Sequence, residues 1–89
     1  MNNLLSAKET KTVLNILVEQ LGVAESQLTH DARIMEDLSA DSLTVMEITL
    51  AVEERFGVSI PDEMVERVST VGDLLEAVAD VLRTPARES

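Results

Sequence analysis

Asp41-Ser42-Leu43-Thr44-Val45-Met46-Glu47-Ile48-Thr49-Leu50-Ala51-Val52-Glu53-Glu54-Arg55-Phe56-Gly57 decides the fold. Asp41, Ser42 or the nearby Ser39 can cap a helix that runs to Phe56 and closes at Gly57. At about 100° per residue, Val45, Ile48, Val52 and Phe56 share one arc of about 80°, which predicts the core-facing side. Leu43, Met46 and Leu50 fall on the opposite side within about 60° of one another, edged by Glu47, Glu53 and Glu54. A second apolar strip on a helix of a small bundle has two explanations: a docking surface or a helix buried on both sides. The flanking carboxylates favour docking.

Working outward, Ser6 and Glu9 have capping-box spacing, and Val13, Leu14, Leu17 and Leu21 then recur at helical intervals up to Gly22. From Val23 to Ala40 the period fails, which predicts a long loop pinned by Leu28, Ile34 and Leu38. Ile60-Pro61-Asp62-Glu63 opens a short third helix that ends near Val68, with Pro in its first turn and acids at its positive end. Thr70 and Asp73 repeat a cap-like signature before the stripe Val71, Leu74, Leu75, Val78 and Leu82 of a fourth helix. No segment alternates long enough for a strand. The expected fold is all-α: a small four-helix bundle with a long loop between helices one and two and a short third helix. One domain over residues 1–82 is expected, with 83–89 as a flexible tail because Pro85 stops any helix there.

Composition narrows function. The 89 residues suffice for one core, and 17 acidic against 7 basic residues give a net charge of −10. Such a chain repels phosphate backbones and anionic headgroups, so neither nucleic acid nor a membrane surface is an expected partner. The chain has no Cys, Trp or Tyr and one Phe, so thiolate metal sites, a thiol nucleophile and stacking platforms for bases are all excluded. No apolar run approaches the roughly 20 residues that span a bilayer, and no leader pattern opens the chain, which predicts a cytoplasmic protein, expected as a monomer. Residues 31–66 hold ten acids and two bases, a net of −8 in that segment. A field concentrated there would steer a basic partner.

Catalytic and metal constellations are missing. Ser42 stands at a helix N-terminus, where free N–H groups favour an attached phosphate. As a nucleophile it lacks a base: the sole histidine, His30, lies twelve residues upstream and no Gly-x-Ser-x-Gly elbow exists. An EF-hand frame begun at Asp37 puts Ser42 at the sixth position and Ile48 at the twelfth, where Gly and Glu are needed. No catalytic residue and no metal site is expected, and the chain is not expected to be an enzyme.

Asp37-Leu38-Ser39-Ala40-Asp41-Ser42-Leu43 strongly resembles the acyl carrier protein family, whose modified serine lies in an Asp-Ser-Leu triplet that opens the second helix. The resemblance runs from about Val13 through Leu82. It takes in Glu19-Gln20-Leu21-Gly22-Val23, Glu53-Glu54-Arg55-Phe56-Gly57, Ile60-Pro61-Asp62-Glu63 and Ser69-Thr70-Val71-Gly72-Asp73. It implies that Ser42 carries 4′-phosphopantetheine, taken from coenzyme A, whose thiol holds acyl groups as thioesters; Asp41 would cap the helix and present charge to the modifying enzyme. A chain without Cys would thus acquire its thiol from a cofactor.

The same resemblance places Leu43, Met46, Glu47, Leu50, Glu53 and Glu54 on the partner-recognition helix. It makes Ile48, Val52, Ile60, Met64, Val68 and Leu74 candidates to line a cavity for the acyl chain, with ordinary core packing the alternative for each. The implied partners are a phosphopantetheinyl transferase and the acyl or ketide synthases, acyltransferases and reductases with basic docking surfaces. Two positions depart from the family's usual pattern. Ser39 stands where Gly is usual, and Thr44 where housekeeping fatty-acid carriers have Asp, which changes complementarity to a basic synthase. Fatty-acid and polyketide supply are both open. The alternatives are a carrier of aminoacyl or peptidyl groups and an unmodified acidic adaptor.

Overall fold

The computed structural model of the protein describes residues 5–83. Four helices follow one another: α1 (Ala7–Leu21), α2 (Ser42–Phe56), α3 (Asp62–Arg67) and α4 (Val71–Arg83). Their ends are set by local chemistry. At α1, Ser6 Oγ accepts from the Glu9 amide (3.0 Å) while the Glu9 carboxylate accepts from the Ser6 amide (2.9 Å), the reciprocal box that the spacing predicts. At α4, Thr70 Oγ1 accepts from the Asp73 amide (3.0 Å), and Asp73 in return accepts from the amides of Ser69 and Thr70. Gly22 and Gly57 stop α1 and α2 at φ +68° and +69°, with their N–H groups donating to Val18 and Glu53 carbonyls at 2.8 Å each. A β-carbon would meet nothing at either site, so backbone conformation alone favours glycine.

The core is aliphatic. Val13, Ile16 and Leu17 of α1, Ile48 and Val52 of α2, and Val71, Leu74 and Val78 of α4 form its centre, while Val45 and Phe56 pack half-buried against it. Thr49, polar and without a place in the apolar pattern, is also buried; its hydroxyl donates to the Val45 carbonyl at 2.9 Å. That bond removes the cost of burying the hydroxyl. Helix α1 packs on α2, and α3 on α4.

The loop from Val23 to Ala40 is pinned by Leu28, Ile34 and Leu38, all buried as the sequence predicts, and also by Ala32 and Ala40. It holds a 3-10 turn at Glu25–Gln27. Main-chain bonds anchor it as well: Ile34 N–H donates to the Ser69 carbonyl (2.9 Å), Val71 N–H to Ala32 (3.0 Å) and Gly72 N–H to His30 (2.9 Å). These surround an isolated antiparallel bridge between Arg33 and Thr70, a single pairing and not a strand. The loop is therefore strapped across the α3–α4 junction, with its far end delivered to the start of α2.

Arg83, assigned to the tail by the sequence reading, is the last residue of α4; the rest of that expected tail, 84–89, lies outside the described residues. No described helix is long and apolar enough to cross a membrane.

Candidate functional site

The site begins where the loop meets α2. Asp41 has extended backbone (φ −101°, ψ −179°) and caps the helix: one carboxylate oxygen accepts from the Thr44 amide at 2.8 Å and from the Thr44 hydroxyl at 2.9 Å. Chiefly the amide bond, then the hydroxyl bond, hold the Asp41 carboxyl below its ordinary value. With Asp41 occupying the cap, Ser42 is freed from it. Ser42 is the first residue of α2, is exposed, and has no hydrogen-bond partner for its hydroxyl among the described residues. The local chemistry fits a phosphodiester-linked arm: an accessible oxygen at the positive end of a fifteen-residue helix, with no internal bond to break.

From Ser42 a groove of about 490 Å³ runs between α2 and α3, with Met35, Met46, Leu50, Val65 and Glu66 along it. Beneath it lies a slot of about 10 Å³ that reaches inward to Leu74 and Ala77. The two share a wall: Ile34, Val45, Thr49, Ile60, Val65 and Val68 line both. The groove has the volume of an ordinary small-molecule site, whereas the slot has room for one water at most.

The residues singled out from sequence fall into distinct places. Leu43, Met46 and Leu50 are 62%, 59% and 54% exposed, which rules out burial of α2 on both sides. Glu47 and Glu54 are exposed beside them. Glu53 is half-buried, and its carboxylate accepts from the Ile60 amide at 2.7 Å, so this acid is engaged inside the molecule. Of the six cavity candidates, Ile48, Ile60, Val68 and Leu74 line the slot. Val52 is fully buried in the core and lines neither space, and Met64 borders a separate shallow depression with Arg67, Asp73 and Asp80. Val52 belongs to the aliphatic core and Met64 packs against it. Met35, 49% exposed and at the groove, has no counterpart in the sequence reading; nothing in the aperiodic loop signals where its side chain points. Among the described residues no cluster of His, Asp and Glu is placed to hold a metal ion.

A bundle with an exposed serine at the head of α2 and an apolar groove leading from it is an arrangement that suits a carrier of a tethered group. The family described as the phosphopantetheine attachment site matches residues 11–78. An acyl carrier protein of Sulfurovum sp. (strain NBC37-1) is 42% identical over 69 residues, covering 78% of this chain and 92% of that protein. One of Helicobacter pylori (strain G27) is 46% identical over 65 residues, covering 73% and 83%. Among solved structures, the acyl carrier protein of Enterococcus faecalis superposes with a TM-score of 0.71 at 33% identity, over 82% of this chain and 92% of that one. The acetyl actinorhodin acyl carrier protein of Streptomyces coelicolor gives 0.66 at 36% identity, over 97% and 100%. The chain belongs to the acyl carrier protein family, whose cofactor is covalently attached phosphopantetheine.

Proposed function

We propose that Ser42 is the attachment residue, that its arm carries acyl intermediates, and that the protein presents them to the cytoplasmic enzymes of fatty-acid or polyketide synthesis. The observation that carries this reading is the exposed, unbonded Ser42 hydroxyl opening α2 at the mouth of the groove. In loading, Ser42 Oγ takes a phosphopantetheinyl group from coenzyme A, its proton passes to the transferase, and adenosine 3′,5′-bisphosphate leaves. The arm, once bound, supplies a thiol that holds the acyl group as a thioester.

The chain's own residues do three things. Asp41 fixes the first turn of α2 and leaves its charge exposed beside the acceptor oxygen. Leu43, Met46 and Leu50, with Glu47 and Glu54, offer partner enzymes an apolar strip with an acidic border, which suits a surface that is apolar at its centre and basic at its rim. The groove beside Ser42 gives a short acyl chain apolar contact while the thioester stays at its mouth. Incubation with coenzyme A, magnesium and a broad-specificity phosphopantetheinyl transferase tests the reading: wild type gains the mass of one arm and Ser42→Ala gains none. No gain in wild type supports the unmodified adaptor instead. The acyl group found on the protein from its own cells distinguishes fatty-acid, polyketide and aminoacyl cargo.

A further inference from the structure

Among the described residues, Thr49 is the one buried side chain of polar type, 9% exposed, and it lines both spaces beside α2. Its place follows from helical spacing. Ser42, Val45, Met46, Thr49, Leu50 and Glu53 recur at one-turn steps and form the α2 side of the groove. Thr49 comes two turns after Ser42 on the same stripe, about 10 Å further along the axis. The wall shared by groove and slot otherwise consists of Ile34, Val45, Ile60, Val65 and Val68, all aliphatic. A cargo tethered at Ser42 therefore meets Thr49 whether it lies along the groove or enters between α2 and α3. The hydroxyl has a fixed polarity, because its single proton is donated to the Val45 carbonyl at 2.9 Å. What it offers to a neighbour is lone pairs, which accept and do not donate. An alkyl chain covers those lone pairs without a donor, and a keto oxygen sets acceptor against acceptor. A cargo hydroxyl supplies the missing proton.

We propose that Thr49 is a specificity-determining residue that favours 3-hydroxyacyl cargo over the saturated and 3-oxo chains of the same length. This rests on the carrier reading above. Condensation at the α-carbon of a thioester leaves oxygen on carbon 3, so the hydroxylated cargo of such a carrier is the 3-hydroxyacyl class. The cargo hydroxyl donates to Thr49 Oγ1 while Oγ1 keeps its own bond to Val45, and no bond of the fold is given up. To serve a 3-oxo chain, Thr49 has to turn its proton away from Val45 and lose that bond.

Two substitutions separate the hydroxyl from the packing. Thr49→Val keeps the shape and removes the oxygen; Thr49→Ser keeps the oxygen and removes a methyl group. Wild type and both variants are loaded by the transferase from octanoyl-, 3-hydroxyoctanoyl- and 3-oxooctanoyl-coenzyme A. Two quantities are read: the rate at which hydroxylamine cleaves each thioester, and, in wild type, the NMR shift of the Thr49 γ-methyl group on loading. Comparing variant with wild type for one cargo at a time cancels the intrinsic reactivity of that thioester. In Thr49→Val, cleavage of the 3-hydroxyoctanoyl thioester is expected to be roughly two- to tenfold faster, as the loss of one neutral hydrogen bond implies. Cleavage of the octanoyl and 3-oxooctanoyl forms is not accelerated. Thr49→Ser discriminates among the cargoes as wild type does, and the Thr49 methyl group shifts on loading with 3-hydroxyoctanoyl. The proposal is overturned if Thr49→Val accelerates all three cargoes alike, which would be general loosening of the wall, or accelerates none. It is overturned equally if Thr49→Ser behaves as Thr49→Val, or if the methyl resonance stays in place on loading. These results leave the carrier reading standing, whereas a wild-type protein that accepts no arm overturns both.

Discussion

Asp41 and Thr44 are joined twice: the same carboxylate oxygen receives the Thr44 amide at 2.8 Å and the Thr44 hydroxyl at 2.9 Å. An aspartate at position 44, usual in housekeeping fatty-acid carriers, could not donate the second bond while ionised. Thr44 thus exchanges a surface charge near Ser42 for a firmer cap. Because these bonds hold the Asp41 carboxyl below its ordinary value, ionised Asp41 favours the folded state. That contribution is fully present above the unfolded carboxylate value of about 3.9 and is lost as pH falls through the lower folded value. The melting-temperature difference between wild type and Asp41→Ala is therefore positive at neutral pH and shrinks below about pH 4. A difference that grows on acidification would contradict this role, and calorimetry across pH 2–7 measures it.

Ser39, where the family usually has Gly, has a left-handed backbone with φ +63°. A β-carbon is disfavoured in that conformation, which gives the usual Gly a physical basis. Ser39→Gly is expected to stabilise the fold by about 0.5–1 kcal/mol, since relief of the left-handed strain exceeds the entropy glycine adds to the unfolded chain. Thermal melts should rise by a few degrees; a fall would mean that the serine side chain contributes more than its strain costs.

The His30 imidazole lies over Gly72, where a methyl group at position 72 would overlap the ring. His30 is largely exposed, so it can swing away, although Gly72 also donates its N–H to the His30 carbonyl at 2.9 Å. Gly72→Ala alone is expected to leave stability nearly unchanged, a gain in helix propensity offsetting the displaced ring. Combined with His30→Ala it should stabilise by up to about 1 kcal/mol. A double-mutant cycle with no coupling between the two positions would remove this account.

Partner recognition is tested on the exposed strip. Glu47→Lys and Leu50→Glu should each slow turnover by a partner synthase several-fold with the helical circular dichroism unchanged, because both side chains are exposed and neither enters the core. Raising ionic strength from 0.05 to 0.5 M should slow association of wild type, and less so of Glu47→Lys. Equal turnover by all three proteins would place recognition on another face.

Helix boundaries were legible because they depend on neighbours in sequence: Ser6 with Glu9, Asp41 ahead of α2, Gly22 and Gly57 at the C-terminal ends, Thr70 with Asp73. The two-faced pattern of α2 was legible too, but choosing between docking and burial needed to know what covers Leu43, Met46 and Leu50, a question of tertiary placement. Residues whose roles depend on distant partners escaped. Thr49 is polar by type yet buried, its hydroxyl bonded within its own helix. Met35 sits in an aperiodic loop whose course is set by main-chain bonds to Ser69, Val71 and Gly72. Glu53 looked like one of three equivalent surface acids because sequence spacing does not reveal that the Ile60 amide comes within its reach. Ile48 and Val68 line the slot while Val52 and Met64 do not, a distinction that depends on which neighbours cover each side chain and not on residue type.

The most direct test of the central claim is fragmentation mass spectrometry of the tryptic peptide 34–55 from protein loaded by the transferase. That peptide holds four hydroxyl residues, Ser39, Ser42, Thr44 and Thr49. The phosphopantetheinyl group is expected on Ser42 alone. Its presence on Ser39 or Thr44, or an unmodified peptide after exhaustive loading, would contradict the assignment of Ser42 as the anchor.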